Sequence, residues 1–186
     1  YQFSPVLTDF DLHLLGEGTH YRNFERLGAH LRKHEGVTGF HFAVWAPNAE
    51  RVSVVGNFNH WDGRRHPLRN CGATGIWEIF VPDLSQGEVY KFEIKSRVHG
   101  YLVKKADPYG FAAEIRPQTA SKVWELAGYA WGDAEWMRHR GGRHALTAPI
   151  AVYEVHLGSW MRVPEEGNRW LTYHELGQRL ADYCHK

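Results

Sequence analysis

The sequence carries almost no net charge: 22 Lys and Arg stand against 21 Asp and Glu, +1 overall with His neutral. A protein held to nucleic acid by a basic face needs a surplus of cations, so that class is set aside. Cysteine is nearly missing, with Cys71 and Cys184 alone. Two thiols cannot staple a small secreted scaffold, and they read as reduced side chains of a cytoplasmic protein. No stretch approaches the ~20 apolar residues that span a bilayer, so no membrane partner is expected. Catalytic signatures are missing too. Gly158-Ser159-Trp160 lacks the flanks of a nucleophile elbow. Gly16-Glu17-Gly18 is too short for a nucleotide loop, and no Gly-Lys-Ser or Gly-Lys-Thr occurs. The 13 His include no His-Glu-x-x-His, so neither a metal nor another cofactor is expected, and scattered surface histidines are the plain reading.

What the chain has in excess is aromatic: 8 Trp, 9 Tyr and 9 Phe among 186 residues. The length suits one or two domains. The first residue is Tyr1 rather than Met, and Lys186 falls inside a helical pattern, so the chain reads as an excerpt of something longer. Residues 1–36 read as an arm. In it Thr8 or Asp9 can cap a short amphipathic helix that Gly16 ends, and Tyr21, Phe24 and Leu27 keep helical spacing.

From 37 to 124 the period changes to two. Phe40, Phe42, Val44 and Ala46 share one face; Tyr90, Phe92 and Ile94 point opposite to Lys91, Glu93 and Lys95. Arg51–Val55 and Ile76–Val81 are strand-like as well, and Gly, Asn and Pro punctuate the chain every ~8–12 residues. This predicts an immunoglobulin-like antiparallel β-sandwich, without the inter-sheet disulfide of antibody domains. Trp45 and Trp77, inside strands, are expected in its core. Residues 125–148 read as a linker with a helical turn over 133–140. Residues 149–186 then open a βα unit. Ile150–Leu157 reads as a strand, and Thr172 with Glu175 forms a capping box ahead of a helix whose Tyr173, Leu176, Leu180, Tyr183 and Cys184 share a face. On that strand Glu154 and His156 share a side, and a buried, mutually hydrogen-bonded pair is expected. The alternative is a place for His156 near a catalytic mouth.

The segment Gly56-Asn57-Phe58-Asn59-His60-Trp61-Asp62-Gly63 lies between strands, where a Trp has no obvious core to fill. Two readings stand side by side: Trp61 is a flat apolar platform for a sugar ring, with Asn59 among the neighbours that bind hydroxyls, or it folds back as a lid on the sandwich end.

Several stretches together resemble the glycogen (1,4-α-glucan) branching enzymes. They are Leu15–His30, Phe42–Ala49, Arg51–Pro67, Gly75–Glu78, Tyr90–Glu93, Lys105–Tyr109, Arg116–Ser121 and Ala148–Trp160. The resemblance implies a starch- and glycogen-binding sandwich followed by the truncated start, one strand and one helix, of an amylase-type (β/α)8 barrel. It implies a retaining glucanotransferase that cuts α-1,4 links and moves the chain to a 6-hydroxyl. The catalytic carboxylates are expected downstream of Lys186, so no catalytic residue is assigned here and this stretch is expected to be inactive alone. The related module of the AMP-activated protein kinase β subunit binds glycan through a Trp matching Trp61 and a Lys matching Lys91. Its second Trp is replaced here by Lys104, for which Tyr101 is a substitute. An α-glucan is therefore the expected partner of a monomer. The alternatives are a non-catalytic glycogen-binding or regulatory module, and a fragment of an isoamylase or trehalohydrolase.

Overall fold

Alternation of apolar and polar residues, the period of a strand, builds most of the chain. The computed structural model describes residues 3–186. Its strands up to residue 122 are β1 Gly28–His34, β2 Val37–Trp45, β3 Ala49–Gly56, β4 Arg69–Asn70, β5 Ile76–Pro82, β6 Val89–Ser96, β7 Leu102–Lys105, β8 Ala112–Ala113 and β9 Ser121–Lys122. They form two antiparallel sheets, ordered β1-β2-β5-β4 and β3-β6-β9-β8, with β7 also paired to β6. Phe40, Phe42 and Val44 of β2 and Trp77 and Val81 of β5 meet Val52 and Val54 of β3 and Tyr90 and Phe92 of β6 in one buried cluster. Phe42 and Tyr90 cross it edge to face at 5.0 Å. Burying a ring such as Phe42 completely contributes ~2–3 kcal/mol.

Two expectations are corrected. Trp45 is 62% exposed. Phe42 and Val44 face the core, and a period of two turns Trp45 to the other side, where its indole lies against Gly75. Residues 28–34, placed in the arm by pattern, are the edge strand β1, in register with β2 along its whole length. Its polar run His30, Arg32, Lys33 and His34 hides the alternation, as charged edges do.

The arm covers the outer face of the first sheet. Helix α1, Asp9–Glu17, starts at a capping box in which Thr8 Oγ1 accepts from Asp11 N–H and Asp11 accepts from Thr8 N–H. It ends at Gly18, two residues later than expected, because φ of 73° there suits glycine. Leu7 and Leu27 pack with Ala43 and Ile76 of the sheet. Beneath them Glu78, 1% exposed, accepts hydrogen bonds from His41 Nε2 at 2.9 Å, Leu7 N–H at 3.0 Å and Arg69 at 2.8 Å. Burial pushes the Glu78 carboxyl up, but these donors outweigh it and hold it down at about 2.

The chain divides into two compact units, and the second is Trp131–Lys186. It holds helix α2 Ala134–Arg143, a small hairpin of β10 Arg162–Val163 and β11 Arg169–Trp170, and helix α3 Tyr173–Cys184. The capping box read from sequence is formed: Glu175 N–H donates to Thr172 Oγ1, and Thr172 N–H to the Glu175 carboxylate at 2.8 Å. Leu176 packs with Val163 and Leu171. Residues 150–157 form no ladder with any described residue, since a parallel strand exists only beside its neighbours. Glu154 and His156 are accordingly exposed rather than buried together, and His156 Nδ1 pairs with Ser159 Oγ at 2.8 Å. No helix among the described residues is long and apolar enough to cross a membrane.

The clamp on Glu78 sets a pH dependence. Its folded pKa lies below the ordinary carboxylate value of 4.5, so its stabilisation, on the order of 3 kcal/mol, is full above about pH 5 and lost as pH falls toward 2. Burial also lowers the pKa of His41, so protonation of that ring in the unfolded chain subtracts further stability once pH drops below about 6.5. Thermal melts from pH 7 to 3 should show a falling midpoint, with the fall below pH 4.5 flattened in Glu78→Gln.

Candidate glucan-binding loop

The second sheet also buries part of its outer face. Val54 and Phe92 point into the core, which sends Ser53, Val55, Lys91 and Glu93 outward. Yet Ser53 and Val55 are fully buried and Glu93 is 6% exposed. The loop after β3 lies across them. Gly63 sits so close that a Cβ there would come within 1.9 Å of Glu93 Oε1. Glu93 Oε1 also accepts from Arg51 at 3.0 Å. The loop then returns along β3, with Val54 N–H bonded to His66 O and Leu68 N–H to Val52 O.

Asn59 organises this loop from inside. Its Oδ1 accepts from Gly56 N–H at 3.0 Å, and its Nδ2 donates to Val54 O and to His66 Nδ1, both at 2.9 Å. Accepting at Nδ1 requires a neutral His66, and burial lowers that ring's pKa. Asn59 is fully buried with its amide spent on the fold, which corrects its reading as a sugar contact. The turn it closes pushes two ordinary residues, His60 and Trp61, into the left-handed region at φ of 57° and 59°. Such strain, on the order of 1 kcal/mol per residue, persists where the surroundings impose it.

Trp61 emerges partly exposed. Its backbone N–H is tied to Gly56 O at 2.9 Å and its indole N–H donates to Asn57 Oδ1, also at 2.9 Å. Lys104 Nζ lies 5.8 Å from the ring centroid. Lys91 stands beside Val55 in the β3–β6 register, one residue from the Gly56 that carries the Trp61 turn. Its Nζ donates to Thr119 Oγ1 at 2.7 Å. The structure thus brings Trp61, Lys91, Lys104 and Thr119 to one end of the second sheet. Tyr101 is left out: it is exposed at the turn after Ser96, whose N–H it accepts, about five strand rises or ~16 Å along β6 from Lys91. Asn57, Lys104 and Thr119 were not legible as a group. Asn57 had a signal in standing four residues before Trp61; Lys104, marked by the resemblance, comes to Trp61 by pairing opposite Glu93, and Thr119, in the loop before β9, enters through its hydrogen bond to Lys91.

Residues 26–110 match the family model of carbohydrate-binding module 48 (isoamylase N-terminal domain). The chain is 58% identical over 183 residues to a 1,4-alpha-glucan branching enzyme of Paramagnetospirillum magneticum and 57% identical to one of Roseobacter denitrificans. Each alignment takes in 98% of this chain and 25% of the relative, so the chain spans about a quarter of the length of these relatives. Among solved structures, Klebsiella pneumoniae pullulanase complexed with maltotriose is similar over 55% of this chain and 10% of its own, at 23% identity and a TM-score of 0.45.

Two substitutions test the loop's architecture. Asn59→Ala removes the acceptor of Gly56 N–H and the donor to Val54 O in a buried place and should cost ~2–3 kcal/mol. Gly63→Ala should lower the melting temperature as well, by driving a methyl group into the Glu93 carboxylate that Arg51 and Lys104 hold in place. Calorimetry on both variants checks this; unchanged midpoints would mean the loop does not lie on Glu93.

Proposed function

We propose that this chain, matched over residues 26–110 by the carbohydrate-binding module 48 family and similar to a quarter of the length of 1,4-α-glucan branching enzymes, is the glucan-holding entry segment of such an enzyme. The observation that carries the reading is the Trp61 loop: an indole held in advance of any ligand by Asn57 and the Lys104 ammonium, with Lys91 on the neighbouring strand opposite Val55. A flat apolar ring next to a few placed donors suits the C–H faces and hydroxyls of an α-glucan chain. The module runs from β1 to the end of β9, and 149–186 is the first βα unit of the catalytic barrel. In that reading the exposed 150–157 segment gains its ladder from strands beyond Lys186.

The parent enzyme cleaves an α-1,4 link with retention and transfers the chain to a 6-hydroxyl. Retention calls for a nucleophile and an acid/base carboxyl ~5–5.5 Å apart. They are placed after Lys186, and the enzyme is read as a cytoplasmic monomer acting on glycogen or amylose-like chains.

Two measurements test this. In affinity electrophoresis through glycogen gels, Trp61→Ala should migrate freely, a loss of about tenfold in apparent affinity for one stacked ring, with an unchanged melting point; retention equal to the parent chain would make Trp61 structural. The 186-residue chain incubated with amylose should form no α-1,6 branches, while the complete protein forms them. Branching by the short chain would overturn the placement of the carboxylates.

A further inference from the structure

Trp61 is held from outside its own loop. On β7, which pairs with β6 through Glu93 opposite Lys104, the Lys104 ammonium makes three contacts at once. It lies 5.8 Å from the Trp61 ring centroid, donates to the Trp61 carbonyl oxygen at 3.3 Å, and stands 3.8 Å from Glu93 Oε2. A free lysine on an exposed edge strand keeps many rotamers, and three partners select one of them. Glu93 is itself pinned by Arg51 and roofed by Gly63. The ring is therefore fixed at its N–H edge by Asn57 and at its π-face by a cation whose own position is set by a buried carboxylate.

The geometry points to Lys104 as the positioning residue of the glucan platform: its cation occupies one side of the Trp61 indole and fixes the ring's tilt, leaving the other side for one glucosyl ring. Lys104 does not itself hold the sugar. This inference rests on the reading of Trp61 as the platform. It makes the site a single-ring contact whose strength depends on a neighbouring charge rather than on a second aromatic surface.

The test uses the chain with 5-fluorotryptophan incorporated, the Trp61 fluorine resonance being assigned through Trp61→Phe, alongside glycogen-gel retention. Lys104→Met removes the cation and keeps the length. It should weaken retention roughly three- to fivefold, the size of an exposed cation–π contact, and shift or broaden the Trp61 resonance, while the melting point falls only slightly, Arg51 still pairing with Glu93. Lys104→Arg, which can still stack and pair with Glu93, should restore both. If Lys104→Met retains glycogen like the parent while Trp61→Ala does not, the positioning role fails and the platform stands. Loss in Lys104→Arg equal to that in Lys104→Met also overturns it, since the charge over the ring would then be irrelevant. If Trp61→Ala itself binds normally, the platform reading fails, and an unmoved Trp61 resonance in Lys104→Met would sink the positioning as well.

Discussion

A carboxylate taken out of water must be met by donors, or it destabilises the chain that buries it. Among the carboxylates buried here, one lies on the outer face of each sheet, Glu78 on the first and Glu93 on the second, 1% and 6% exposed. Much of what distinguishes this sandwich from a bare pair of sheets follows from compensating these two. Around Glu78 the donors are His41, Arg69 and the backbone of Leu7, so the arm is drawn onto the first sheet. Around Glu93 the donor is Arg51, with the Lys104 ammonium 3.8 Å away, and the close fit of Gly63 brings the Trp61 loop down over the second.

The two clamps differ in consequence. The arm closes over Leu7, Leu27, Ala43 and Ile76, and its effect is stability. The loop closes over small and charged residues while its tip stays partly open, so what it stabilises is a conformation. His60 and Trp61 keep left-handed backbones because Asn59 anchors the turn from below and Glu93 fixes the far side. In the proposed role as a glucan platform, a surface held this way gives up little ordering entropy when a ligand arrives.

Much of the fold was readable from residue order. The alternation of Tyr90, Lys91, Phe92, Glu93 and Ile94 places a core face and an outer face on β6, and Thr172 with Glu175 marks the start of α3 to the residue. The failures have physical causes. β1 was missed because an edge strand needs only one apolar face and here carries His, Arg and Lys. Trp45 is expected in the core because it stands inside a strand, although its own period turns it the other way. The strand at 150–157 has the composition of one and no neighbour among the described residues to pair with.

The site divides along the same line. Local sequence determined that a Trp stands on an Asn- and Gly-rich turn after a strand, because φ preferences and side-chain chemistry act over a few residues. Only the tertiary structure decided that Asn59 belongs to the interior, that Tyr101 lies at the far end of β6, that the Lys104 ammonium stands over the Trp61 ring, and that Thr119 pairs with Lys91. Strand register and burial settle those relations, and both depend on residues tens of positions apart meeting in space, which neither composition nor spacing records.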